Sequence, residues 1–238
     1  MPQTVCDPGI RRSTYQGDAV ALKVAILQPG VLNKTFVDQT VTVATGGGAK
    51  GATAIPVTAT TEDMYKGQAL AFLDVDGKET IAQLSADALT GATSLPVYEL
   101  PEAVPEAATA EFPAKVVERS GVNLSDSANV AETQTGDSAG NTRSIVSGFA
   151  ARTITADGIE TDYNAGLLTC RYAYRNRQQV YARIEYPAPN ANYTKGKQIY
   201  GVFHVNSMNI DASADAQITA PVELTSDGGI CEISPTEV

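Results

Sequence analysis

Tryptophan is absent from this 238-residue chain, histidine occurs once, cysteine three times, and aromatic residues make up 6% of the total. Each scarcity removes a class of chemistry. A carbohydrate cleft or a glycosidase needs stacking aromatics beside paired carboxylates, and here the ten tyrosines are scattered instead of being grouped with Asp or Glu. The single histidine, His204, lies within an alternating strand pattern beside Tyr200 and Val202, with no Cys or acid at ligand spacing. A packed or interface imidazole is expected there, not a base, and no G-x-S-x-G accompanies it. Cys6, Cys170 and Cys231 are too few and too dispersed for a disulfide framework or a C-x-x-C metal knuckle, and read as free thiols. No apolar run approaches the roughly 18 residues of a membrane span. Met1–Pro8 has no basic segment followed by an apolar one, so the chain is expected to be made and used in the cytoplasm.

Two look-alikes fail on spacing. Gly46–Thr53 suggests a phosphate loop, yet Lys50 precedes the closing Gly51 and no helical pattern follows. Asp74-Val-Asp76-Gly77 starts like a calcium loop but lacks the later ligands and the bidentate Glu, so a hairpin turn is the better reading. Asn33, Asn123 and Asn192 head glycosylation triplets, which carry no meaning without secretion. No catalytic residue, metal site or cofactor is expected.

Charge is uneven. The chain totals −10, divided as +2 over residues 1–37, −7 over 38–115, −3 over 116–141, +4 over 142–209 and −6 over 210–238. A net acidic chain repels a polyanion, so sequence-specific DNA binding is excluded as its task. The basic exception is Arg171, Arg175, Arg177 and Arg183. These arginines could pair with acids of a neighbouring subunit, or they could be a solvated helix face and turn.

Period-two alternation marks strands over Ser144–Thr155, Val180–Tyr186, Gln198–Ile210 and Ile218–Leu224. One helix is expected after Asp157-Gly158: from Asp162 onward Tyr163, Leu167, Cys170 and Tyr174 share a face, with Thr161 or Asp162 as N-cap. Asn129 to Arg143 is polar and rich in Gly, Ser, Thr and Asn, and reads as a loop.

An internal repeat lies upstream. Gly51-Ala-Thr-Ala-Ile-Pro-Val57 returns as Gly91-Ala-Thr-Ser-Leu-Pro-Val97, and the same offset aligns Thr40 with Thr80, Glu62 with Glu102 and Phe72 with Phe112. Pro56 and Pro96 point to edge or strand-entry positions. Leu70–Val75 and Glu79–Leu84 flank Asp76-Gly77 as a hairpin. Residues 38–115 are therefore expected to form a small β-module with a period of 40, inserted into a domain made of 1–37 and 116–238. Gly46–Gly48 and Pro101–Pro105 read as flexible brackets from which it projects, the alternative being one continuous β-domain.

The segments Gly148–Gly158, Tyr200–Ile210 and Ala216–Gly228, in the order of a sheet with one helix closed by a strand ending at Asp227-Gly228-Gly229, resemble the tail tube (major tail) proteins of long-tailed bacteriophages. That resemblance implies a mainly β fold, a tail tube-like β-sandwich or barrel with one α-helix, and a structural virion protein whose subunits close into rings of six that stack into a hollow tube through which DNA passes. It implies a tape measure protein in the bore, a tail terminator, a baseplate or distal tail protein, and a sheath if the tail contracts. Val130–Asp137 resembles the stretch that reaches the next ring, which makes Asn129, Val130, Glu132, Thr133, Thr135, Asp137 and Arg143 the expected ring-to-ring contacts. The repeat resembles modules of several phage head and tail proteins, so a head decoration or head–tail completion protein is the alternative.

Overall fold

The computed structural model describes residues 20–28, 34–116, 121–133, 144–157, 164–208 and 221–237. Its strands are β1 (Ala21–Ile26), β2 (Gln39–Thr42), β3 (Ala54–Pro56), β4 (Ala69–Leu73), β5 (Glu79–Gln83), β6 (Ser94–Pro96), β7 (Thr109–Phe112), β8 (Ala114–Val116), β9 (Gly121–Thr133) and β10 (Ser144–Asp157). After the helix α1 (Ala165–Asn176) come β11 (Gln179–Glu185), β12 (Tyr193–Lys195), β13 (Gln198–Met208), β14 (Val222–Ile233) and β15 (Thr236–Glu237). The mainly β reading with one helix holds among the described residues.

Seven strands form one antiparallel sheet in the order β8-β1-β11-β13-β14-β10-β9. Among the described residues the sheet is open and does not close into a barrel. Strand β11, third in that order, is buried on both faces. Val180, Ala182 and Ile184 join Leu22, Val24, Ile199, Phe203 and Leu224 under the helix residues Leu167, Cys170 and Ala173, whereas Tyr181 points into a second core shared with the repeat. The alternation along β11 thus separates two apolar environments and not core from solvent.

The helix starts two residues later than the sequence suggests. Asn164 Oδ1 caps it by accepting from Leu167 N at 3.0 Å, and Arg177 closes it in the left-handed region. Asp162 and Tyr163 lie outside the described residues. The buried stripe runs Gly166, Thr169, Cys170, Ala173, and Tyr174 is 47% exposed. Small residues let the helix approach closely: a Cβ on Gly166 would come within 2.6 Å of the Lys115 and Val116 backbone. Leu167 and Cys170 are buried as the expected face requires, and Tyr174 is the one described member of it that turns out to the surface.

Strand β14 does not end at Asp227-Gly228-Gly229. It continues to Ile233, with these residues forming an irregularity between the pairs Gly201↔Ile230 and Phe203↔Ser226. Beyond it Thr236 and Glu237 form β15, which pairs with β12.

The repeat folds with an approximate two-fold relation. β3 and β6 pair about Ile55↔Leu95. Val57 N–H donates to Thr93 O and Val97 N–H to Thr53 O, both at 2.9 Å, while Met64 and Ala88 exchange two hydrogen bonds as Gly48 and Val104 do, all at 2.8 Å. A four-stranded sheet, order β2-β7-β4-β5, completes the unit. The first strand of each copy therefore pairs with the last strand of one copy or the other, and neither half is complete alone. Phe72 and Phe112 are equivalent, facing Thr80 and Gln39 respectively. Thr40 and Thr80 are not: Val43 to Gly48 is one residue longer than Leu84 to Ala88, so Gln39 is the counterpart of Thr80. Gly46–Gly48 and the 101–105 segment are not hinges, because Gly48 is buried and locked to Val104 within the unit.

The unit is docked on the body. Its core, including Phe72, Leu70, Met64 and Phe112, is continuous with Ile26, Leu27, Phe36, Tyr181 and Val202. Phe36 joins the two, edge-on to Phe112 at 5.3 Å and to Tyr181 at 5.4 Å.

Candidate functional site

The first part of the polar stretch expected to be a loop is strand. Asn129, Val130, Glu132 and Thr133 belong to β9, whose ladder with β10 runs as far as Thr133↔Ser144. A two-stranded ladder is held by backbone hydrogen bonds and tolerates polar, β-branched residues without an apolar face. Asn129 sits where the register shifts between Ser147 and Ala150. Thr135, Asp137 and Arg143 lie outside the described residues. β9 is the outermost strand of the sheet and the longer of its two edges, 13 residues against 3 for β8.

The four arginines separate. Arg183 is 5% exposed. Its guanidinium bonds to Asp38, donates to Phe36 O at 3.3 Å, and places Nε 2.8 Å from Glu185 Oε1, a bent ionic contact. Lys23 adds a second cation, 3.0 Å from Asp38 and 3.2 Å from Glu185. Burial works against the charge on Arg183, and the carboxylates of Glu185 and Asp38 outweigh it, leaving its pKa raised. Burial likewise opposes ionisation of Asp38, yet Lys23 and Arg183 hold that carboxyl below its ordinary value. Arg183 is therefore an internal tie between β11 and the start of the repeat. Its charge is satisfied within the chain, which removes it from the cations expected to reach a neighbour.

Arg175 and Arg177 remain at the surface, with Arg171 one turn back on the helix. The end of α1 and the adjoining strands frame an open cleft lined by Tyr174, Arg175, Arg177, Gln178, His204, Asn206, Thr225 and Ser226. His204, expected to be a packed or interface imidazole, is exposed and places Nε2 3.0 Å from Asp227 Oδ2, which also accepts from Gln179. Among the described residues no group of three or more His, Cys, Asp or Glu is placed to hold a metal. Cys170 is buried in the helix core and Cys231 lies half-buried on β14; Cys6 lies outside the described residues.

The join between repeat and body is completed by a residue that the sequence did not single out. Gln68, fully buried, accepts from Ile26 N at 3.0 Å and donates to Ala69 O at 3.0 Å and to Thr169 Oγ1 at 3.2 Å. β8 covers the edge of β1 only from Leu22 to Val24, and Gln68 takes up the next donor on that edge. Beside it Gly67 packs under the Tyr172 ring with φ +91, where a Cβ would lie 2.0 Å from the ring. Lys34 binds Asp63 at 2.8 Å, and this hydrogen bond, with those from Thr90, holds the Asp63 carboxyl well below the ordinary carboxylate range. A glutamine after Lys66-Gly67 at the head of an apolar run gives no sequence signal; only the placement of the β1 edge explains it.

Residues 106–231 match the family described as phage tail tube protein. The chain belongs to that family. The match spans the end of the repeat, the helix and the sheet except β1 and the last two residues of β14, so a structural role in the virion tail follows for this tail tube protein. No curated protein sequence matches it. Among solved structures it is similar to a chain of a native gene transfer agent virion, with 14% identity and a TM-score of 0.39 over 50% of this chain and 87% of that one. It is likewise similar to the tail of an empty gene transfer agent particle refined with C6 symmetry, with 14% identity and a TM-score of 0.38 over 49% and 82%. A third similarity is to the SPP1 tail tube, with 14% identity and a TM-score of 0.39 over 73% and 81%.

Proposed function

We propose that this tail tube protein closes into rings of six and that the rings stack into the hollow tube through which DNA leaves the head. The family match over the sheet and helix carries the reading. The open sheet supports it, because an exposed edge as long as β9 is a liability for an isolated chain and is removed when sheets of adjacent copies join. Residues 129–143 are the ring-to-ring contact in this reading. A tape measure protein fills the bore during assembly, a terminator and a distal tail or baseplate protein close the ends, and a sheath surrounds the tube if the tail contracts. The protein has no catalytic task and needs no cofactor. Residues 38–115 form an inserted unit that is anchored to the tube domain.

Negative-stain microscopy of the purified chain, with light scattering over rising concentration, tests this. Hollow tubes with six-fold end views are expected. A monomer or compact trimer at every concentration overturns the reading in favour of a head decoration or completion protein.

A further inference from the structure

The cleft at the end of α1 has no task in the fold of a single copy. Its two arginines, Arg175 and Arg177, are both exposed, and neither side chain has a hydrogen bond or ion pair among the described residues. Arg175 lies in the last helical turn, where the helix dipole favours a cation, and Arg177 is held by its own backbone, whose N–H closes the helix onto Ala173 and Tyr174. Tyr174 stands between the helix core and the cleft, 47% exposed. Exposed Tyr and Arg grouped on a concave surface are the residues that protein interfaces concentrate at their energetic centres. Further donors line the same wall: the Asn206 amide, the hydroxyls of Thr225 and Ser226, and the His204 ring. Asp227, the carboxylate bonded to a cleft residue, is already engaged by His204 and Gln179.

We infer that this cleft is an interaction surface for an acidic segment of a second copy of this chain, with Arg175 and Arg177 binding its carboxylates and Tyr174 packing against its backbone. The inference rests on the ring-and-tube reading and names a contact within it. Charge complementarity selects the occupant. The chain totals −10, residues 38–115 alone carry −7, and the arginines lie in the one long segment with a positive balance. Two complementary patches at different places on the same chain make a head-to-tail contact, and repetition of such a contact generates rings and stacks. A phosphate backbone would find the same arginines but would meet the field of a strongly acidic protein on approach.

The test compares the native chain with R175Q/R177Q and R175K/R177K. The native chain should assemble, and R175Q/R177Q should raise the concentration needed for assembly by about tenfold or more with an unchanged circular dichroism spectrum. R175K/R177K should retain assembly. Treated with a zero-length carbodiimide in a mixture of isotopically light and heavy copies, it should give light–heavy cross-links from Lys at 175 or 177 to Asp or Glu. Equal assembly of the native chain and R175Q/R177Q, or cross-links confined to single copies, overturns the inference and leaves the tube reading standing. Failure of the native chain to assemble at all overturns both. Binding of a short DNA duplex that is lost in R175Q/R177Q, without an assembly defect, assigns the cleft to nucleic acid instead.

Discussion

Replacing Gln68 tests whether the repeat and the tube domain are one folding unit. Gln68→Met fills most of the same volume but cannot accept from Ile26 N. The buried amide is left without a partner, at a cost of about 1–3 kcal/mol. Gln68→Ala adds a cavity, and with roughly 0.8 kcal/mol for each lost methylene-sized group the total reaches about 3 kcal/mol. For a chain of this length that lowers the melting temperature by about 6–12 °C. Thr169 gives an internal control, because its Oγ1 accepts from both Gln68 Nε2 and Ala69 N, at 3.2 and 3.0 Å. Thr169→Val combined with Gln68→Met should therefore be less damaging than the sum of the two, by about 0.5–1.5 kcal/mol.

The assay is urea unfolding of the unassembled subunit, followed by far-ultraviolet circular dichroism and by tyrosine fluorescence. One transition is expected by both probes, since Phe36, Tyr181 and Val202 share a core with the repeat. The reasoning is refuted if Gln68→Met falls within about 0.5 kcal/mol of the native chain. It is also refuted if the native chain unfolds in two separate steps of which Gln68→Ala moves only one.

The remaining predictions concern charge and backbone. Asp38 and Asp63 both have carboxyls held below their ordinary values, so the stability they contribute is present above about pH 4 and is lost as pH falls through their folded values. An acid titration should show that loss, and Asp63→Asn should lower stability at pH 7 while flattening the acid limb; an unchanged limb would refute the assignment. At the equivalent positions Gly67 and Ala107, both with positive φ, opposite signs are expected. Gly67→Ala should destabilise by about 2 kcal/mol or more because the methyl meets the Tyr172 ring. Ala107→Gly should stay within about 1 kcal/mol of the native chain or gain slightly, since it relieves a left-handed alanine. Thermal melts of both variants decide the matter.

How far the fold was legible depended on whether a signal was local. Period two located the cores of β10, β11 and β13, and Asp76-Gly77 located the hairpin between β4 and β5, because pleat and turn geometry are written within a few residues. The repeat was visible for the same reason, although a one-residue loop difference shifted the pairing of Thr40. Features that depend on a distant partner were not visible. The polar sequence from Asn129 to Thr133 looked like a loop until β10 was placed beside it. Arg183 looked like one more surface cation until Asp38 and Phe36 O were brought to it across the fold. Tyr174 and Cys170 looked equivalent on a helical wheel, and only the close approach of small residues to the sheet turned one inward and the other out.

The two copies of the repeat explain how the insert is fixed in place. Both present a turn with a positive φ before their last strand, at Gly67 and at Ala107. In the first copy that turn carries Gly67 and Gln68, which suit the Tyr172 ring and the open donor of Ile26. The second copy has Ala107 and Ala108 there, which offer neither the bare backbone nor the amide. A symmetric fold thus docks by one end only. The asymmetry lies in two side chains, and the intertwined strands, in which β2 depends on β7 and β5 on β4, carry that anchorage through the whole unit. A repeat unit built this way is tied to the sheet and not hinged on its connections. Whatever the exposed half of the repeat meets in an assembled tail is therefore held in fixed register with the sheet beneath it.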